Sequence, residues 1–430
     1  MRVSLALPFL LGALPLASWA AGCSGASNPL GGPHDGGVDG ASGSSSGASS
    51  GGGSGGGSGS SSGGGSGGGS GGSSGGGSSG GGSGSSSGGG CPPCDPGNVN
   101  LPGGTCDLDC SGTTSPPGPC DGALTAAGPA ADFAKALGIC QLATGGSWGL
   151  VSATYTQGYG STAVPNARQH GIAPSFGAVI KPREGTNLGV LSTGYAMVCD
   201  DPSATAVCTG TGTSDPYFKG AQTAMDVANG TAPPGYPKST ATCMAAATVF
   251  DTIGVTLQIQ VPKNVSGLSF DFDFHSSEWP EYACSTYNDQ FVAWLQSEAW
   301  LGNVGDLNVA FDTMGNVISV NTPFLDRCTP GTPIGCAGTG TATGTSTCTA
   351  GPDELQGTGF YNLGTYCTSQ STGGGSTGWL TSTAPVHGGE TITLQLIIWD
   401  TGDANWDSSV LVDNLKWYGA TQVVKTSPSP

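Results

Sequence analysis

The sequence predicts a mainly β fold: an antiparallel, jelly-roll-like β-sandwich with one short N-terminal helix, long disulfide-braced loops and a disordered Gly/Ser linker ahead of them. Three observations predict it. Several segments alternate apolar and polar residues with period two, the pattern of strands with one buried face. Gly/Thr/Pro-rich stretches separate those segments, as in sandwiches and barrels. Cysteines punctuate the longest of these stretches.

At the N-terminus, Arg2 precedes an apolar run from Val3 to Trp19 that Pro8 and Pro15 interrupt, followed by small residues up to Gly22. Charge, apolar core and small residues in that order make residues 1–22 a signal peptide, and the run is too short and too Pro-broken for a membrane span. Ala20-Ala21-Gly22-Cys23 resembles the lipobox of bacterial lipoproteins, although that family usually has Leu where Ala20 stands. The resemblance implies acylation of Cys23 and lipid anchoring at the outer membrane or cell surface. An ordinary signal peptide with a neighbouring cysteine is the plainer alternative. The chain has 15 Cys, an odd number for an exported protein, and lipid on Cys23 would leave an even set for disulfides.

Residues 23–90 read as anchor and linker. Past Ala41 they are almost entirely Gly and Ser, with too little apolar surface to offset the entropy of ordering. About fifty such residues span roughly 35–42 Å r.m.s. and about 170 Å at full stretch. A G-x-S-x-G match at Gly52–Gly56 is a product of low complexity.

Residues 91–120 form a Cys-rich segment with Cys91, Cys94, Cys106, Cys110 and Cys120. Cys91-Pro-Pro-Cys94 has redox spacing but opens an irregular Pro-rich stretch, so structural disulfides are the first reading and zinc or redox chemistry the alternatives. In residues 121–143, Ala131–Cys140 reads as a helix with Phe133, Ala136, Leu137 and Cys140 on one face, weakened at its end by Gly138. It should pack on the β domain, with Cys140 stapling it there.

Residues 144–420 read as one β domain and 421–430 as a tail. Val255, Leu257, Ile259 and Val261 alternate with polar residues, as do Leu268, Phe270, Phe272 and Phe274, and Ile392, Leu394, Leu396 and Ile398. Leu307–Phe311 and Val317–Val320 flank a Met314-Gly315-Asn316 turn and read as a hairpin. The long loops 199–247 and 326–380 hold Cys199, Cys208, Cys243, Cys328, Cys336, Cys348 and Cys367. These and Cys284 are expected in disulfides of unspecified connectivity.

Charge narrows the partners. With 29 Asp+Glu against 11 Lys+Arg, the chain offers no footprint for nucleic acid or for anionic lipid, and it suits cations if the carboxylates cluster. No H-E-x-x-H motif is present, His34, His170, His275 and His387 are scattered, and no dinucleotide or P-loop motif lies outside low complexity.

Two acidic segments stand out. One runs from Phe270 through Ser276-Ser277-Glu278-Trp279-Pro280-Glu281-Tyr282 to Tyr287-Asn288-Asp289-Gln290-Phe291. The other runs Trp399-Asp400-Thr401-Gly402-Asp403-Ala404-Asn405-Trp406-Asp407-Ser408-Ser409 and continues into Val410-Leu411-Val412-Asp413-Asn414-Leu415. As a set, over about residues 130–418, they resemble the choice-of-anchor L domain family. That family usually has Ser-Glu-Glu-Tyr-Pro-Glu where this chain has Ser277 for the first Glu and Trp279 for the Tyr. The resemblance implies an extracellular β-sandwich and supplies no reaction.

Calcium takes six to eight oxygens in flexible geometry. Asp400, Asp403, Asn405 and Asp407 share one loop with Gly402 at its bend, and Glu278, Glu281 and Asp289 complete a ligand set if the two segments are neighbours. The alternative is that these side chains cap turn amides. Trp279, Tyr282 and Trp406 flank the acids as candidate contacts for a glycan or protein surface, against plain loop packing. The leading functional expectation is a lipid-anchored binding or adhesion module, calcium-dependent and not an enzyme. The alternatives are a glycosidase-like hydrolase, pairing Glu278 with Glu281 or either with Asp400 across about 5–9.5 Å, and a passive structural lipoprotein.

Overall fold

A computed structural model describes residues 98–99, 119–196, 230–337, 340–361, 363, 367 and 373–429. The signal, anchor and linker expectations lie outside these residues, as do Cys23, Cys91, Cys94, Cys106, Cys110, Cys199 and Cys208. The described residues belong to one compact unit, Gly84–Pro430.

The elements in chain order are α1 (Ala130–Ala136), β1 (Gly149–Thr156), β2 (His170–Ala173), β3 (Leu188–Ser192), β4 (Val249–Gln260), β5 (Gly267–Ser276), β6 (Gln290–Gln296), β7 (Ile318–Ser319), β8 (Arg327–Cys328), β9 (Pro333–Ile334), β10 (Gly344–Thr345), β11 (Gly375–Ser376), β12 (Leu380–Pro385), β13 (Thr391–Thr401), β14 (Ser408–Tyr418) and β15 (Lys425–Pro428). The strands form one sheet in the order β1-β4-β13-β6-β7, a second in the order β15-β12-β5-β14-β3-β2, with β11 and β8 continuing from the end of β5, and a separate ribbon of β9 and β10. All strand pairs are antiparallel.

The period-two pattern places Val255, Leu257 and Ile259 of β4 and Leu394, Leu396 and Ile398 of β13 in one core with Phe270, Phe272 and Phe274 of β5 and Val410 and Val412 of β14. The rings of Phe272 and Phe291 meet across the sheets at 5.1 Å. The antiparallel sandwich is therefore observed.

The expected tail 421–430 is not one, since its Lys425–Pro428 is a strand paired with β12, and four further details differ from the sequence reading. First, β5 is buried on both faces, whereas alternation predicted one. Phe176, Ile180, Leu355 and Phe360, from the connecting loops, pack on Val190 and Leu411 to make a second apolar cluster. The polar face survives burial because its acids are bonded: Asp271 accepts from Thr381 Oγ1 at 2.6 Å and Asn414 Nδ2 at 2.7 Å, and pairs with Arg183 at 3.3 Å. Secondly, the helix stops at Ala136, and Gly138 takes a φ of +92° just beyond it, the left-handed conformation that ends helices. Phe133 still enters the core, edge-on to Tyr155 at 6.0 Å. Thirdly, Cys140 bonds to Cys120 in the preceding segment, so the staple closes around the helix.

Fourthly, the expected hairpin is one interrupted edge strand. Residues 307–309 bond to β6 through Leu295–Leu307 and Val309–Ala293, and β7 pairs with its start. The turn between them loops out, crossed at Phe311–Val317 and closed by Asp312, which accepts the amides of Met314 and Asn316. Further disulfides join Cys243–Cys284, Cys328–Cys348 and Cys336–Cys367, bracing the long loops as expected.

Phe272 has no exposed surface. Phe272→Ala should lower the unfolding free energy by about 3–5 kcal/mol, read as a shift in urea midpoint with unchanged slope.

Candidate functional site

Antiparallel pairing gathers strand ends at one end of the sandwich. The end of β13 lies beside the starts of β4 and β6, through Thr401–Val249 and Trp399–Gln290. In the other sheet the end of β5 lies beside the start of β14 through Ser276–Ser408, and β14 beside the end of β3 through Ser409–Ser192. Segments far apart in sequence thereby converge on one polar plug.

Four of the predicted acids enter it. Glu278 follows β5, Asp289 precedes β6, Asp400 ends β13 and Asp407 precedes β14, and each is at most 2% exposed. Asp289 bridges the sheets: its Oδ1 accepts the Thr401 amide at 3.0 Å and its Oδ2 accepts Ser408 Oγ at 2.6 Å. Its own amide donates to Glu278 Oε2 at 3.5 Å. The Asp407 carbonyl accepts Ser277 Oγ at 2.6 Å. Its carboxylate lies against Gly194, where any Cβ would collide with it. Neither oxygen of Asp400 has a hydrogen-bond partner of good geometry, although the Thr193 hydroxyl lies close enough to ease its ionisation.

The plug holds more acceptors than donors. Among the described residues, no Lys, Arg or His pairs with Glu278, Asp289 or Asp400. Burial is therefore the main force on all three, pushing each toward its protonated form. Glu278 is raised well above the usual range by burial and then by Asp289, and Asp400 by burial and then by Asp289 and Asp407. Asp289 is raised to about 7, held down partly by Ser408 and the Thr401 amide.

The remaining predicted residues separate. Asp403 is partly exposed, accepts the Asn405 amide at 3.1 Å as a turn cap, and adds negative potential at Glu278 and Asp289. Asn405 shares that loop. Glu281 is buried beside the Cys336–Cys367 disulfide, with which it forms the one trio of potential ligand atoms within 4.8 Å of one another among the described residues. Both those cysteines are committed to each other. Trp279 packs over Gly375 and against the core, while Tyr282 and Trp406 meet at 5.9 Å.

Sequence reasoning overlooked Thr193, Gly194, Ser408 and Asp251, whose negative charge helps to raise Asp400. Ser408 lay inside a quoted segment and Asp251 is an acid at the start of a strand, so both could have been read. Thr193 and Gly194 carry no local signal, because only the pairing of β3 with β14 brings them here.

The fold and this site define a class: an antiparallel β-sandwich whose end loops close over a plug of acids. The sequence profile of the choice-of-anchor L domain matches residues 190–415, just over half of the chain, and the chain belongs to that family. It is accordingly a β-rich, surface-associated or exported protein. No curated protein and no solved structure matches it.

A raised carboxyl means that the folded chain keeps a proton that the unfolded chain has released. In metal-free buffer, stability should be greatest below pH 4 and fall as pH rises from about 4 to about 7, through the interval between the ordinary and folded values of Asp289. Calorimetric melting in EDTA across that range checks this. A flat melting temperature would mean that a countercharge already neutralises the plug.

Proposed function

We propose that the chain is an exported, lipid-anchored protein that presents its sandwich as a binding or adhesion module, with a calcium ion locking the acidic end. The observation that carries the ion is Asp400: it is 1% exposed, neither of its oxygens has a hydrogen bond of good geometry, and acids surround it. A buried carboxylate needs a proton, a counter-ion or a metal. Glu278, Asp289, Asp400 and Asp407 are the ligand candidates.

No three of these carboxylates bring their oxygens within 4.8 Å of one another among the described residues. An ion would therefore draw them together on binding, with carbonyl oxygens completing its shell of six to eight. The burial of all four acids supports an enclosed ion over a sugar cleft flanked by a carboxylate pair. The support for lipid on Cys23 is the residue order up to Gly22 and the odd cysteine count.

Calcium at about 100 times its Kd should add about 2.7 kcal/mol, raising the melting temperature by about 4 °C over EDTA. Asp400→Asn should abolish that shift and, in EDTA at pH 8, melt higher than the parent because a buried charge is gone. An unchanged melt and no heat on titration with calcium remove the ion. For the anchor, Cys23→Ala should move the protein from the membrane to the soluble fraction, with the acyl mass lost from the mature N-terminus. A soluble parent protein with an unmodified Cys23 would refute lipidation.

A further inference from the structure

The two loops that carry the buried acids also carry aromatic side chains that stay partly exposed. Tyr282 and Tyr287 lie between Glu278 and Asp289, and Trp406 immediately precedes Asp407. The Tyr282 ring stands edge-on to Tyr287 at 5.8 Å and tilted against Trp406 at 5.9 Å. Gly402, at a φ of +99°, makes room for Tyr287, since a Cβ there would sit 2.9 Å from its ring. Trp406 itself has a φ of +64°. So large a residue rarely adopts this left-handed conformation, which persists only where the surroundings enforce it. Here Asp407, the next residue, is packed into the plug against Gly194.

We propose that Tyr282, Tyr287 and Trp406 form a shelf that binds a neutral glycan, and that the ion beneath sets the shelf's shape; the second clause rests on the calcium reading above. The ligand class follows from the chemistry. Aromatic faces pair with the apolar C–H faces of a pyranose ring, and partly exposed Asp403 and Asn405 beside them offer partners for its hydroxyls. A formal net charge of −18 and an acidic rim repel phosphate-, sulfate- and uronate-bearing polymers. The ion couples to the shelf through the chain itself: the backbone that places Asp407 places Trp406, and the loop from Glu278 to Asp289 places both tyrosines.

The test is electrophoresis of the mature protein through native gels containing a β-glucan, a mannan, a xylan or a sulfated dextran, run in calcium or EDTA. At least one neutral polymer should retard the parent in calcium, and EDTA should weaken that retardation about tenfold. Trp406→Ala and Tyr282→Ala should each weaken it at least tenfold while keeping the calcium-dependent melting shift, which shows that they fold and that the plug is intact; Trp406→Phe should recover part of the binding. Retardation by none of the neutral polymers, retardation by the sulfated dextran alone, or full binding by Trp406→Ala would overturn the shelf. Binding that persists unchanged in EDTA would overturn the coupling to the ion. The melting shift reports separately on whether calcium binds.

Discussion

The interlocking of the two inner sheet faces constrains everything else. Phe270, Phe272 and Phe274 occupy one side of β5, so Asp271, Asp273 and His275 must occupy the other, and that side is covered as well. Long connections cover it, one of them through the 3-10 turn Asp353–Leu355. Those connections contribute Phe176 and Phe360, which meet His275 ring to ring at 5.2 and 5.4 Å. Disulfides across spans of 20 residues, as at Cys328–Cys348, then offset about 3 kcal/mol each of the entropy such connections would gain on unfolding.

The acidic plug follows from the same topology. Six strand ends meet where the apolar core gives out, and polar residues from positions 192 to 409 replace it. Ser408 shows how tightly the two sheets are knit there: its hydroxyl lies 3.0 Å from Ser276 Oγ in its own sheet and 2.6 Å from Asp289 in the other. Acids in such a place do not stabilise a sandwich by themselves, since taking several like charges out of water is costly. Their presence makes sense only with a proton or a cation to accompany them.

Much of this was legible in the residues. The strands around Val255, Phe272 and Leu394 announced themselves through alternation, and burial confirmed each inner-facing residue. The acidic segments announced themselves through density of charge, and four of seven nominated ligands converge. Illegible parts share one cause, dependence on distant partners. Asp271 looks solvent-facing until Arg183, Thr381 and Asn414 are placed around it. Glu281 is three residues from Glu278, yet a turn closed by the Tyr282 amide on the Glu278 carbonyl at 3.0 Å separates their surroundings. Cys140 could have bonded in many ways, and only the path of the chain before the helix selects Cys120.

The broken edge strand beside β6 bears on self-association. An uninterrupted sheet margin is a template on which neighbouring copies stack through their free amides and carbonyls. Here the margin is split by the looped-out turn at 311–317, and β7 beyond it is two residues long. On this margin, therefore, no continuous backbone row is offered to the next molecule, and copies cannot zip together through it.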